Sequence, residues 1–354
     1  MQQLCVTLLI SFSLFSCAST KKLTAEQQVD KILEKYNLSS GPGASVVVYK
    51  EDKIIYAKGY GLQNIQTQEP ITPQTNFRLA SVTKQFTAMS ILLLEKNKKL
   101  SLEDPLRKYF SSFPEYGKNI KIKHLLTHSS GLIDYEDLIP ATQTIQLHDT
   151  NCLQLMYSTN KLYFPAGTDY RYSNTGYAIL ALIVEKVSGK DFSTFLKENI
   201  FKPLNMKNTV AHVDGKDVIL NRAYGHTLEN GSWKLTDQSL TSAVLGDGGI
   251  YTNVEDYCKW MSALWNYKLL PTELQNRAWS KTKLDNGKMI DYGYGWHLET
   301  FNDIEHPFHD GSSIGFRNSV LVFPGKKLMV MVLTNRNEPD PIEEAKKIST
   351  IYYN

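Results

Sequence analysis

The stretch FRLASVTKQFTAMSILLLEK, residues 77–96, changes character in its middle. Phe77 to Ala80 reads as a short extended piece. From Val82 to Glu95 apolar side chains fall on nearly every side of a helical projection, the pattern of a helix buried all round. Such a helix needs other layers to cover it, so the flanking chain must supply them. Upstream, Ala44 to Tyr49 and Lys53 to Ala57 are rich in β-branched residues on either side of Glu51-Asp52, which predicts a hairpin. Before that, Thr24 to Tyr36 sets Val29, Ile32, Leu33 and Tyr36 at helical spacing, and Gly41-Pro42-Gly43 ends the pattern. Downstream to about Asn205 helical signals dominate. Thr175 to Val187, closed by Gly189, is the clearest, and Asp191 to Ile200 follows. Strand signals return late, where Asn318 to Phe323 and Leu328 to Thr334 flank the turn Pro324-Gly325-Lys326-Lys327. Pro341 to Tyr352 reads as a last helix with proline at its start. Strands near both ends around a helical middle predict an α+β fold. One mostly antiparallel sheet is built from the termini, a helical region is inserted, and the cleft between them is the place for a site.

Composition narrows the function classes. The 354 residues carry 42% hydrophobic and 21% charged side chains, as an ordinary globular chain does. Lys+Arg 39 less Asp+Glu 36 leaves +3 with no run of like charge, so the basic stripe of a nucleic-acid binder is missing. Met1 to Ser16 holds no charge, and Leu4 to Phe15 is mostly apolar. That is short for a bilayer span but suits a signal-peptide core. It ends Leu14-Phe15-Ser16-Cys17, which resembles the lipobox of bacterial lipoproteins. The resemblance implies cleavage before Cys17, acyl chains on that residue and a membrane-anchored protein on the periplasmic face. The usual Lys or Arg near the start is missing, and the alternatives are a plain signal peptide or an N-terminal anchor. The expected division is therefore 1–16 signal peptide, 17–23 lipidated cysteine and tether, and 24–354 one folded domain. Within that domain an α/β part takes about 24–100 and 240–354, and a mainly helical part about 101–239. Of four cysteines, Cys5 would leave with the signal peptide. Cys152 and Cys258 lie in no CxxC pattern and read as buried free thiols.

Three short patterns carry chemistry. Ser81-Val82-Thr83-Lys84 opens the buried helix, where a serine has its own N–H and the positive end of the dipole beside it. Lysine three residues on returns to the same face, and with a lowered pKa it can serve as a base. Ser-x-x-Lys recurs at Ser19, Ser158 and Ser280, so spacing alone selects nothing; only Ser81 joins an extended approach to a long buried helix. Tyr172-Ser173-Asn174 stands just before the Thr175 helix and offers a phenol to relay a proton and an amide to orient a carbonyl. Its copy Tyr251-Thr252-Asn253 has a plainer reading, with Thr252 and Glu255 as a capping box. His309-Asp310-Gly311 is the chain's one [Lys or His]-x-Gly. In a strand His309 and Gly311 would share a face, glycine would let a substrate lie against the backbone, and the Ser312 N–H would complete an oxyanion pair.

Together these patterns resemble the serine β-lactamases of the class C type and the related DD-peptidases and esterases. Ser-x-x-Lys, Tyr-x-Asn and Lys/His-x-Gly come in that family's order. Segments Phe77–Lys84, His124–Leu132, Phe201–Met206 and Gly246–Tyr251 also look like family segments, and the likeness runs from about Gly43 to Thr334. The resemblance implies an antiparallel sheet flanked by helices with a helical subdomain, and a serine hydrolase that needs no cofactor or metal. Ser81 would be the acylated nucleophile, and Lys84 and Tyr172 would share proton transfer, with the base left open. Asn174 would hold the substrate amide, and Ser81 and Ser312 the oxyanion. His309 would stand where β-lactamases usually carry lysine. Neutral histidine offers a substrate carboxylate no charge, and Asp310 could repel it; Arg317 is a candidate substitute contact. The expected substrate is an amide or ester, such as a D-amino-acid or cell-wall peptide or a small ester. A true β-lactamase and a non-catalytic penicillin- or peptidoglycan-binding sensor are the alternatives. His124 and His128 are four apart but lack the His-Glu-x-x-His acid, and Gly246–Gly249 reads as a tight turn rather than a nucleotide loop.

Overall fold

A computed structural model describes residues 22–353; the expected signal peptide and Cys17 lie outside the described residues. Thr24 caps helix α1 (Ala25–Ile32) in a capping box with Gln27, and the helix stops at Leu33, so the expected single helix to Tyr36 ends in a 3-10 turn. Strands β1 (Ala44–Lys50) and β2 (Lys53–Tyr60) form the expected hairpin. Then follow β3 (Phe77–Arg78), α2 (Lys84–Lys96), α3 (Asp149–Ser158) and α4 (Asn174–Ser188). Gly189 ends α4 in the left-handed region at φ +73, a conformation glycine adopts without steric cost. After Asp191 a short helix passes into a π-helical turn over Lys197–Phe201. Next come β4 (Val210–Ala211), α5 (Leu245–Gly248), β5 (Ile250–Thr252) and α6 (Val254–Trp265). The chain closes with β6 (His297–Phe301), β7 (Ile304–Ser313), β8 (Phe316–Phe323), β9 (Leu328–Thr334) and α7 (Ile342–Tyr353).

The six long strands make one antiparallel sheet in the order β6-β7-β8-β9-β1-β2. The two termini meet in it, with Ala44 opposite Thr334 and Lys50 opposite Leu328. Both faces of its centre are covered. Val46, Val48, Val330 and Val332 pack with Val29, Leu33, Ala345 and Ile348 of the terminal helices. Val47, Tyr49, Met329 and Met331 face the larger core that contains α2, α4 and α6. Burial on both faces is why these strands read as continuous apolar runs rather than as alternation. Among the described residues no helix is long and apolar enough to cross a membrane.

A second, three-stranded sheet in the order β3-β5-β4 aims the chain at the buried helix, with Phe77 opposite Thr252 and Arg78 opposite Tyr251. Two expectations change here. Gly246–Gly249 is mostly the one-turn helix α5, held by the Asp149 carboxylate, which accepts the Leu245 and Gly246 N–H groups at 2.9 Å each. The cap of α6 is Asn253, whose side chain accepts the Asp256 N–H at 2.9 Å; Thr252 instead pairs with the Thr209 hydroxyl.

Candidate active site

Ser81 sits on a 3-10 turn, Ala80–Thr83, that runs straight into α2, rather than on the first turn of the α-helix itself. Ala80 takes φ +50, a left-handed conformation that costs a residue with a Cβ, and so turns the chain sharply just before the serine. The approach is clamped from the sheet. The Asn318 side-chain amide of β8 donates to the Arg78 and Leu79 carbonyls at 2.9 and 3.1 Å. Gly311 of β7 lies against the same segment, and a Cβ there would stand 2.2 Å from the Leu79 carbonyl oxygen. Glycine is therefore required here for contact with the protein's own backbone, a reason the sequence did not suggest.

Lys84 opens α2 and is fully buried. Its Nζ lies 2.7 Å from Asn174 Oδ1, 3.1 Å from the Asp247 carbonyl oxygen and 3.1 Å from Ser81 Oγ. Burial draws its pKa below the ordinary lysine value, against the pull of the Asp247, Asp134 and Glu136 charges. Burial likewise pushes the Asp247 carboxyl up, and Tyr135 donates its hydroxyl to it at 2.9 Å. Asn174 begins α4 with both ends of its amide engaged, the oxygen by Lys84 and the nitrogen by Glu136 at 3.2 Å. Its N–H is bound by Asp134 at 2.6 Å. The Tyr172 ring lies 4.9 Å from Lys84 Nζ. The Tyr172 hydroxyl is buried without a hydrogen-bond partner of good geometry, although the nearby Ser81 hydroxyl favours its ionised form. Burial outweighs that neighbour and, with the Asp247 and Asp134 charges, pushes the phenol well above the ordinary tyrosine value.

His309 lies inside β7, not in a turn before a strand, and is buried. Its Nδ1 lies 2.6 Å from the Asp310 carbonyl and its Nε2 3.2 Å from the Tyr292 hydroxyl. A carbonyl only accepts, so Nδ1 carries the proton and Nε2 accepts from Tyr292. Burial, reinforced by His297 and Lys84, holds this ring neutral. His297 of β6, also lowered by burial, to about 4, is 4.9 Å from it and lies parallel to the Tyr172 ring. Asp310 points the other way. Strand alternation sends it to the opposite face, beside Ser319 across the strand pair and within reach of the Asp340, Glu299 and Lys346 charges. The expected repulsion of a substrate carboxylate by Asp310 is therefore corrected. Arg317 pairs with Ser312 across the strands, and its Nη1 donates to the Ser313 and Phe316 carbonyls at 2.8 and 2.7 Å. Ser312 follows Gly311 with its side chain exposed.

The Beta-lactamase family model matches residues 29–351. The chain belongs to the Beta-lactamase family. Among its relatives, Penicillin-binding protein 4* of Bacillus subtilis (strain 168) is 29% identical over 316 residues, 85% of this chain and 70% of the relative. Protein flp of Staphylococcus aureus (strain N315) is 29% identical over 326 residues, 88% of this chain and 64% of the relative. The chain thus spans about two thirds of the length of these curated relatives. The penicillin binding protein of Bacillus halodurans superposes with a TM-score of 0.75 at 28% identity, covering 92% of this chain and 98% of that one. The D-amino acid amidase of Ochrobactrum anthropi SV3 complexed with L-phenylalanine amide shares the fold, with a TM-score of 0.80 at 21% identity over 93% of this chain and 98% of that one.

Within this Beta-lactamase family fold the structure brings Ser81, Lys84, Tyr172 and Asn174 together and sets β7 with His309 and Gly311 alongside. Sequence reasoning missed Tyr292 and His297, which carry no short motif of their own, and took Asp247 only as part of a glycine-rich turn. His124 and His128 face different neighbours. His124 donates from Nε2 to Asp285 at 3.1 Å, while His128 packs on Tyr172. Cys152 and Cys258 are free and buried, as expected.

Proposed function

We propose that the chain is a serine hydrolase that acts through an acyl-enzyme on an amide or ester, such as a D-amino-acid or cell-wall peptide or a small ester. The observation that carries this reading is the set of partners around Lys84 Nζ. A neutral amine has two N–H donors and one lone pair. Its neighbours are two acceptors, Asn174 Oδ1 and the Asp247 carbonyl, and one hydroxyl, that of Ser81. As an ammonium Lys84 donates to all three, and loss of one proton leaves two donors for Asn174 and Asp247 and a lone pair facing the Ser81 hydroxyl. In this reading Ser81 Oγ attacks the carbonyl carbon while Lys84 takes its proton. The Ser81 and Ser312 N–H groups hold the oxyanion, and Tyr172 passes its proton to the leaving group while the Lys84 ammonium returns the serine's proton to Tyr172, which restores the phenol and the neutral amine. Water then attacks the ester, with Lys84 again the base.

Charge shapes the choice of substrate. His309 is neutral, Arg317 has one nitrogen, Nη1, held by two backbone carbonyls, and Lys84 is enclosed. The site therefore favours leaving groups without a carboxylate, which weighs against efficient β-lactam turnover. The lipobox-like Leu14-Phe15-Ser16-Cys17 supports a place on the membrane through acylated Cys17, on the periplasmic face.

The test is intact-mass spectrometry with a fluorophosphonate, a labelled penicillin and p-nitrophenyl esters. A transient adduct that Ser81→Ala abolishes is the expected result. A persistent adduct with every acyl donor would favour a sensor, and no adduct at all would remove the hydrolase reading. Nitrocefin turnover as fast as ester turnover would overturn the charge argument.

A further inference from the structure

One residue holds Tyr172 at three points. The His128 carbonyl accepts the Arg171 N–H at 3.0 Å, and His128 Nδ1 accepts the Ser173 N–H at 3.0 Å. The backbone on both sides of the tyrosine is thus fixed to the same residue. The imidazole also packs against the phenol ring, with centroids 4.2 Å apart and planes 30° from parallel. His128 does this from the left-handed region, at φ +55, a conformation that costs energy for a residue with a Cβ and persists where the surroundings enforce it.

The rest of the ring is enclosed by Tyr177 and Tyr292, with centroids 5.1 and 4.5 Å away, and by Tyr170 edge-on at 6.1 Å. Accepting at Nδ1 places the ring proton on Nε2, a buried donor with no protein partner among the described residues. Burial, reinforced by Lys84, His297 and His309, keeps the ring neutral, so the acceptor at Nδ1 persists across the working pH range. The phenol itself has no hydrogen bond of good geometry to fix it. Its placement beside Ser81 therefore depends on its backbone and its ring contacts; His128 holds the backbone on both sides and makes the nearest ring contact, with Tyr292, His297 and His309 farther off at 6.3, 5.9 and 6.2 Å. Displacement of a catalytic group by about 1 Å can cost about a hundredfold in rate.

We propose that His128 is a positioning residue for Tyr172, fixing the backbone at Arg171 and Ser173 and supporting the phenol from one side. The inference rests on the serine hydrolase reading above and adds to it a residue that touches neither substrate nor nucleophile. Two variants divide its parts. His128→Phe keeps a ring but leaves the Ser173 N–H without an acceptor, and His128→Asn keeps an acceptor but removes the ring. With a p-nitrophenyl ester, His128→Phe should lower kcat about 10- to 100-fold with KM within about twofold, and His128→Asn should lose less. In a Tyr172→Phe background either change should cost less than about twofold, because the residue acts through the phenol.

Turnover by both variants within about twofold of the parent, or equal losses with and without the Tyr172 hydroxyl, would overturn the inference. Nitrogen-15 NMR of the imidazole gives a readout independent of turnover, and of whether His128→Phe folds. The neutral Nε2–H form should persist from about pH 5 to 8, and titration near the ordinary histidine pKa of about 6.5 would overturn the inference. A parent protein inert to every acyl probe would remove the hydrolase reading instead, and the NMR measurement would still decide the clamp.

Discussion

Lys84 must lose a proton before it can take one from Ser81, and its surroundings set the pH at which that happens. Its pKa is lowered by burial, so the neutral fraction grows as pH rises through a value below the ordinary lysine pKa of about 10.4. kcat/KM should climb along an acid limb centred below that value and then level off. The limb should survive in Tyr172→Phe, because burial keeps that phenol protonated. A limb that vanishes in Tyr172→Phe would make the tyrosine the base. Lys84→Arg keeps a cation that cannot deprotonate, so kcat should fall about 10²- to 10⁴-fold while the acylatable Ser81 remains. An arginine variant of near-normal kcat in steady-state assay would end the case for a lysine base. At this scale the sequence was informative about identity but silent about state. Ser81, Lys84, Tyr172 and Asn174 are legible as residues, whereas the neutrality of His309 and the facing of Asp310 to the other side of the sheet depend on burial and strand phase.

Two elements meet at the serine, and each has a substitution that tests its fit. Strand β7 approaches so closely that Gly311→Ala places a methyl group 2.2 Å from the Leu79 carbonyl oxygen. Backbone must shift to admit it, at about 1–3 kcal/mol, and the turn carrying Ser81 shifts with it. Urea unfolding together with the rate of Ser81 labelling should show both losses; unchanged labelling would mean that the strand does not set the serine. Helix α5 depends on Asp149, whose two oxygens accept two N–H groups. Asp149→Asn turns an N–H₂ group toward one of those donors and should cost about 1–3 kcal/mol in urea unfolding. Activity should fall too, since the Asp247 carbonyl that contacts Lys84 belongs to α5. Full stability in the asparagine variant would show that the turn holds itself. Burial raises the Asp149 pKa to about 7 against the two N–H groups that lower it. The glycine-rich run read as a turn because four residues, three of them glycine, give no helical period; the carboxylate that organises them lies almost a hundred residues upstream.

For the whole molecule, the sheet closes only when the two ends of the chain meet, at Ala44–Thr334 and Lys50–Leu328. With acylated Cys17 the anchor would sit just before α1, which packs against α7 on the sheet face away from the site. Cys17→Ser should move the protein from the membrane to the soluble fraction while ester turnover by the released protein is kept; unchanged membrane retention would defeat the lipid anchor. The sequence by itself determined the α+β order of elements, the hairpin over Asn318–Thr334, the buried helix and the residues of the three patterns. These follow from local period, turn chemistry and short spacing, which a linear chain carries in full. Only the tertiary structure decided how the patterns work together. It placed β6 and β7, whose irregular burial hid them, made Gly311 a contact for Leu79, and turned Asp310 away. It also gathered Asp247, Tyr292, His297 and His128 around Lys84 and Tyr172. Those residues are brought together from segments far apart in sequence, and only packing fixes their distances, their charge states and the path of a proton between them.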